Sequence, residues 1–478
     1  MAETLKEKTA KGLFWGALNN GTIQVLNLVL GIFLARKLMP ADYGIVGVLA
    51  IFSAIAAMMQ SSGLGTGLIN IKKPTDNDYN AVFWFNVLVS LALYALLFLC
   101  APLIAQFIHQ PCLVKVSRIL FLTLPISALG NASGTYLIKN MMNREIAVIG
   151  VTSVALSGIV GVTMAYNGFS YWSLVGQQLV LNAALTLGRF FYVSWRPSFT
   201  IDFTPVKRMF GFCMNILATN IVNVINYHIL TFIFGRFLPI QTVGYYSQAN
   251  KWNNLAKTTI TDAVGQIAQT VLVSVSDEHE REVRVFRKLL RFTAFLTFPV
   301  MLGLAIVSHE FILLTIGEKW RESIPLLQIL CFGGAFLPLS SVFHNLIISR
   351  GRSDLYMRYN IGMIVTQLAM VLLIYPKGIT AIVLACSTLN VLWFMVWLVV
   401  GSRLINLRLM DAAKDVLPFL AVSLLVMGIT YFVTMGITNL ALLLTSRILI
   451  AATLYAGSMK LLQAKVMEEC INFIRKRH

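Results

Sequence analysis

Charge is what this sequence has least of. Asp, Glu, Lys and Arg make up 12% of its 478 residues, where a soluble domain carries roughly a quarter. Acid is scarcer still, with 20 Asp and Glu against 38 Lys and Arg. Cysteine is sparse: six residues, scattered, with no CxxC and no adjacent His, exclude a disulfide framework and a thiolate metal centre. No GxSxG, HExxH or phosphate-binding P-loop occurs, and no paired loop carboxylates. Serine hydrolase, zinc peptidase and nucleotide-driven pump therefore lack sequence support, and no enzyme activity, metal or cofactor is expected.

Apolar chain is what fills the space. Hydrophobic residues account for 57% and the mean hydropathy is +0.76. Runs such as VFWFNVLVSLALYALLFLCAPLIAQFI (82–108) are too long for a soluble core helix. They also lack the short alternating segments of outer-membrane strands. The expected fold is an all-α integral membrane protein with about fourteen transmembrane helices. The spans lie near 13–35, 44–68, 81–108, 114–138, 147–166, 170–193, 210–237, 244–274, 289–309, 324–349, 358–376, 379–402, 417–437 and 440–460.

A formal charge of +18 invites a nucleic-acid reading, but the placement of the charges removes it. Lys and Arg crowd the inner loops and span ends. The opposite side holds only Arg36, Lys37, Lys115, Arg118, Arg236, Lys319, Arg321 and Lys377. This bias sets orientation and predicts that both termini are cytoplasmic. The N-terminus is not read as a signal peptide, because Asn19 and Asn20 interrupt its apolar stretch and no cleavage site follows. Thr4 and Glu7 have capping-box spacing, which predicts a short interfacial helix leading into the first span. The inner segment 276–291, with acids first and bases later as suits a helix dipole, reads as a solvated, surface-lying connector, with a partner-docking helix as the alternative.

The chain repeats itself. ARKLMPADYG (35–44) returns as GRFLPIQTVG (235–244), and YLIKNMMNR (136–144) more loosely as LIISRGRSD (346–354). YNGFSYWSLV (166–175) matches YPKGITAIVL (375–384), and ILFLTLP (119–125) matches ILCFGGAFLP (329–338). The pairs keep the same order at nearly constant offset. They predict two six-helix bundles, 1–205 and 206–405, followed by two additional helices and a tail over 406–478. An even number of spans per half makes the repeat parallel, a pseudo-twofold along the membrane normal.

Polar residues inside the spans fall in stripes. Asn215, Thr219, Asn223 and Asn226 share one face of span 7, within about 80°. Lys251, Asn254, Thr258, Asp262 and Gln269 make a similar stripe on span 8, while Lys257 points elsewhere. Gly16, Asn20, Gln24, Asn27 and Gly31 make a third on span 1. A charge at mid-membrane costs roughly 2.5–3.5 kcal/mol on insertion scales, so it rarely faces lipid. The stripes predict a water-accessible cavity. Amides suit sugar hydroxyls, ammonium groups suit phosphate, and Asp262 is a candidate for ion coupling. The alternative is structural: Asn and Thr joining helices, and Lys251 or Lys257 paired with Asp262. His228 and His344 are read as hydrogen-bonded structural residues.

With these residues in view, the chain resembles the polysaccharide transporter family of the multidrug/oligosaccharidyl-lipid/polysaccharide flippase superfamily. The stretches that carry the likeness are ARKLMPADYG (35–44), SSGLGTGLINIKKPTDNDYNAVFWFN (61–86), WRPSF (195–199), GRFLPIQTVGYYSQANKW (235–252), residues 298–330 and ISRGRSDLY (348–356). The resemblance implies two bundles in a V around a cationic cavity, working by alternating access in the bacterial inner membrane. It implies a polyprenyl-pyrophosphate-linked oligosaccharide as cargo, flipped to the periplasmic leaflet for lipopolysaccharide or exopolysaccharide assembly. Polymerase and glycosyltransferases of the same pathway are the partners it implies. Arg36, Arg236, Lys251 and Lys257 match the cavity cations of that family, with Asn20, Gln24, Asn215, Asn223, Asn226 and Asn254 beside them. Relatives carry a Pro near the inner end of span 8, where QTVLVSVSD (269–277) has none. A cation-coupled drug exporter of the same superfamily and a membrane-embedded polymerase or ligase are the competing readings.

Overall fold

The computed structural model describes residues 5–61, 63–199, 202–275, 278–462 and 467, and every regular element among them is helical. The first helices are α1 (Leu5–Lys37), α2 (Pro40–Ser61), α3 (Leu64–Asn70), α4 (Asp76–Ile108), α5 (Leu113–Leu120), α6 (Thr123–Lys139), α7 (Asn143–Tyr166) and α8 (Trp172–Tyr192). They are followed by α9 (Thr204–Phe237), α10 (Ile240–Ser274), α11 (His279–Thr315), α12 (Ser323–Gly334), α13 (Leu337–Ser349), α14 (Ser353–Ile374), α15 (Ile379–Leu404), α16 (Leu409–Thr434) and α17 (Leu440–Leu461). Hydrocarbon offers no hydrogen bonds, so a spanning segment must satisfy its backbone internally, and helices do this.

Among the described residues, 11 helical segments are long and apolar enough to cross a membrane. The protein is a multi-pass membrane protein. The three expected spans missing from that set are α8, α9 and α10, of 21, 34 and 35 residues. Their length suffices for the roughly twenty residues of one crossing. Composition sets α8 and α10 apart, because α8 carries Gln177, Gln178, Asn182 and Arg189 and α10 carries Lys251, Lys257, Asp262 and a row of amides, while several side chains of α9 lie outside those described. Exposed apolar side chains such as Leu99, Phe191, Leu373 and Phe432 coexist with buried polar ones such as Gln248, Glu310 and Arg447. That inversion of the soluble pattern suits a lipid solvent.

The internal repeat is visible in the turns. Leu38 N bonds Leu34 O at 2.8 Å to close α1, and Leu238 N bonds Phe234 O at 2.8 Å to close α9. Gly168 (φ 81°) and Gly378 (φ 87°) occupy matching left-handed positions, as do Met141 (φ 52°) and Gly351 (φ 70°). Both Leu-Pro pairs stand in the first turn of a helix that follows a break: Pro125 in α6 and Pro338 in α13. The missing N–H of Pro costs nothing there.

The chain divides into two compact units, Met1–Gly244 and Tyr245–His478. In the first, α7 packs on α1 and α8, α6 on α4 and α8, and α9 on α2 and α4. The segment after α8 is clamped to α4. Trp195 is buried against Tyr79 and Phe83, Trp84 Nε1 donates to Ser198 O at 2.7 Å, and Ser198 N donates to Asn80 Oδ1 at 3.0 Å. Asp202 closes the clamp by accepting from Thr204 N and Asn77 Nδ2. Hydrogen bonds from Thr204, and then from Asn77, pull its carboxyl down to about 2.

In the second unit α11 is the central post, touched by α12, α13, α16 and α17. Its first turns correct the reading of 276–291 as a solvated connector. From His279 onward the segment is helix, and Glu282, Phe286 and Leu290 are fully buried. These residues fall at i, i+4 and i+8 on one face, which packs inward. Arg350 forks onto Glu282, with Nε–Oε1 at 2.9 Å, and Arg287 Nε meets Asp415 Oδ2 at 2.6 Å. At the N-terminus α1 is one continuous helix from Leu5, where a separate interfacial helix was expected; Thr4 lies outside the described residues.

Candidate functional site

The two copies of the opening motif meet inside the first unit. A Cβ placed on Gly44 would lie 2.0 Å from Ile240 O, and one on Gly244 would lie 1.8 Å from Pro40 O. Each helix start presses its glycine against the backbone at the other's start. The matching arginines differ in their surroundings. Arg36 is exposed. Arg236 donates from Nη1 to Phe107 O at 3.0 Å, contacts His109 Nε2 at 2.9 Å and lies 5.2 Å above the Phe107 ring. It therefore caps the last carbonyls of α4, a task suited to a cation at a helix C-terminus.

On α10 the packed face and the polar face separate beyond Asn254, whereas before it Gln248, Trp252 and Asn254 are buried around Lys251. Ala249, Asn253, Ile260, Val264 and Ala268 are buried. Lys251, Asp262 and Gln269 fall roughly opposite them at 100° per residue. Asp262 and Gln269 are exposed and Lys251 is half-buried, its Nζ 5.6 Å from the Trp252 ring. Asn254 is buried at 7% exposure, and its carbonyl accepts from Thr258 Oγ1 at 2.7 Å. Lys257 is half-buried on another face, near Cys331 of α12. On α9 Asn223 is exposed, whereas the side chains of Asn215, Thr219 and Asn226 lie outside those described. Asn20 and Gln24 are exposed on α1.

Two buried amides stand outside the candidate residues that the sequence offered. Gln248 is 0% exposed and neither of its side-chain polar atoms has a hydrogen-bond partner among the described residues. Asn253 is packed so closely on α12 that a Cβ at Gly334 would lie 2.5 Å from its Oδ1. Neither breaks the helical spacing of its neighbours, so only their polarity marks them. Beside Asp262 the second unit opens a polar pocket of about 420 Å³, lined by Thr261, Asp262, Gly265, Ser341, His344, Asn345, Ile348 and Tyr356. The pocket thus gathers one predicted residue, Asp262, with a histidine expected to be structural. His344 Nε2 is buried and has no hydrogen-bond partner among the described residues, contrary to that expectation.

Comparison with known proteins fits this architecture. The polysaccharide biosynthesis protein family matches residues 33–325. The chain is 25% identical over 364 residues to the lipopolysaccharide biosynthesis protein WzxC of Escherichia coli, covering 75% of this chain and 73% of that one. It is 26% identical over 345 residues to the succinoglycan biosynthesis transport protein ExoT of Rhizobium meliloti, covering 72% and 70%. In fold it is similar to the lipid II flippase MurJ in an inward closed conformation, with a TM-score of 0.75 at 14% identity over 94% of this chain and 99% of that one. An all-helical, multi-pass chain with a transporter-like fold and a family match across most of its length leaves one assignment: it belongs to the polysaccharide biosynthesis protein family.

Proposed function

We propose that this protein flips polyprenyl-pyrophosphate-linked oligosaccharide repeat units from the cytoplasmic to the periplasmic leaflet of a bacterial inner membrane by alternating access, for lipopolysaccharide or exopolysaccharide assembly. In this reading α8, α9 and α10 complete fourteen crossings. The crossings form two six-helix bundles, 1–205 and 206–405, and a C-terminal pair over 406–478, with both termini cytoplasmic. Polymerase and glycosyltransferases of the same pathway are its working partners.

One observation carries the reading. A membrane-length helix, α10, sets Lys251, Asp262 and Gln269 on the face opposite its packed one. Hydrocarbon is a poor neighbour for that face, whereas a hydrated path for a charged, hydroxylated cargo is a good one. Lys251 and Lys257 supply phosphate-binding ammonium groups, and Asn223 and Asn254 supply amides for hydroxyls. The relatives named for polysaccharide biosynthesis and transport support the cargo class.

The test is a strain that lacks this protein and every redundant transporter. It should accumulate lipid-linked repeat units in the inner leaflet, whereas unchanged delivery to the outer leaflet overturns the proposal. Lys251→Ala and Lys257→Ala should each lower repeat-unit export about tenfold at unchanged membrane abundance, the loss expected for one charge-assisted bond. Export at the wild-type rate in both variants would remove the lysines from the cargo path.

A further inference from the structure

We infer that the polar pocket between α10, α13 and α14 is a saccharide subsite that takes one sugar ring of the cargo. This inference rests on the flippase reading and deepens it. The pocket lies within the second unit, and its volume of about 420 Å³ is at the low end of ligand sites, which run about 300–1,000 Å³. That is room for a ring and little more. Gly265 keeps it open, since a Cβ there would meet nothing within 4 Å.

The hydrogen-bond inventory selects the ligand. Thr261 Oγ1 already donates to Lys257 O at 3.0 Å, and Ser341 Oγ donates to Pro338 O at 2.6 Å. Asn345 Nδ2 donates to Ser341 O at 2.9 Å. Thr261 and Ser341 thus use their donors within the protein, Asn345 uses one of its two, and the oxygens of all three remain as acceptors. Asp262 adds two more acceptor oxygens and has no hydrogen-bond or ion-pair partner among the described residues. Acceptors outnumber donors in the pocket, with one Asn345 N–H and one His344 ring N–H beside them, and a sugar hydroxyl both donates and accepts.

His344 completes the pocket as a fixed polar wall. Its ring is held 4.4 Å from Trp397 and 5.2 Å from Tyr356, both edge-on, so its unpartnered Nε2 is placed without much loss of freedom on binding. Tyr356 contributes an aromatic surface of the kind that sugar C–H faces pack against. A phosphate brings only acceptors and negative charge, so Asp262 repels it. A bound metal ion is a poorer match, because the described residues contain no cluster of three or more His, Cys, Asp or Glu. Along α10, Asp262 stands about 7.5 Å from Lys257 and about 16 Å from Lys251. A diphosphate held at either lysine leaves the adjoining sugars within reach of the pocket.

The test measures binding to the full-length protein in lipid nanodiscs. The probes are undecaprenyl diphosphate and its conjugates with glucose, galactose and N-acetylglucosamine. The wild type should bind at least one conjugate ten or more times tighter than the bare diphosphate. Gly265→Leu, which fills the pocket, and Asp262→Asn, which alters its acceptors, should each bring that ratio close to one. Thermal melts confirm that both variants are folded. No preference for any conjugate in the wild type overturns the subsite, and so does a preference that survives both substitutions. Sodium displacing the conjugate from the wild type would make the pocket a cation site and overturn it equally. If the wild type binds none of the four lipids, it is the flippase reading that fails.

Discussion

Glu310→Gln should destabilise the protein by about 3–5 kcal/mol, the range for removing one partner of a buried ion pair. Arg447 and Glu310 are 6% and 2% exposed, and Arg447 Nη1 lies 2.9 Å from Glu310 Oε2. The guanidinium also donates from Nε to Thr434 Oγ1 at 3.2 Å and from Nη1 to Ile306 O at 3.0 Å. One cluster therefore ties together the ends of α11 and α16 and the start of α17. In Glu310→Gln the arginine keeps its charge in a low-dielectric setting with its counter-charge gone. In Arg447→Met the carboxylate is stranded, apart from the His309 Nδ1 at 3.4 Å. The double variant Glu310→Gln with Arg447→Met should recover most of the loss, because no bare charge remains and Met fills similar volume. Thermal unfolding in detergent, read with membrane abundance, checks all three. Single variants as stable as the wild type, or a double variant as unstable as the sum of the two, would show that the pair is not what holds α17.

That cluster also marks how far the sequence could be read. In the sequence Arg447 is a cation inside the apolar span 440–460, yet nothing there marks its partner. Glu310 opens EFILLTIGEKWRES and reads as the start of a loop, because Gly317 and two charged pairs follow it. The structure carries α11 on to Thr315 and so places Glu310 inside the helix. The repeat was legible because backbone geometry requires it. Gly168, Gly351 and Gly378 sit at positive φ, where glycine is tolerated best, and Met141, the counterpart of Gly351, is one of four described non-glycine residues there, with His109, Ser170 and Asn406. The stripe on α10 was legible because helical spacing is fixed. Which face the helix packs was not, since Gln248, Asn253 and Asn254 are polar and all lie among the buried residues, while Asp262 and Gln269 are exposed. Burial depends on partners distant in sequence. His344 shows the same limit: the rings beside it, Trp397 and Tyr356, come from other helices, and its buried Nε2 has no hydrogen-bond partner among the described residues.

Gly44→Ala and Gly244→Ala should each cost about 1–3 kcal/mol, the usual range for overpacking. The added carbon at Gly44 would lie 2.0 Å from Ile240 O and 3.0 Å from its carbonyl carbon. At Gly244 it would lie 1.8 Å from Pro40 O and 2.5 Å from its carbonyl carbon. The obstructing atoms are backbone in both cases, so no rotamer change relieves the clash and the two helix starts must move apart. Movement forced by one Cβ also makes room for the other. The double variant should therefore cost clearly less than the sum of the singles, a coupling that distant sites do not show. Gly16→Ala and Gly21→Ala are the controls: a Cβ at either meets nothing within 4 Å, and alanine is the better helix former. Melting temperatures of the five variants against the wild type decide the matter, and strictly additive or absent effects at Gly44 and Gly244 would sink the idea. Coupling would explain why both motifs place a glycine eight residues after an arginine. Each glycine is needed because the other motif's backbone occupies the space where its side chain would be.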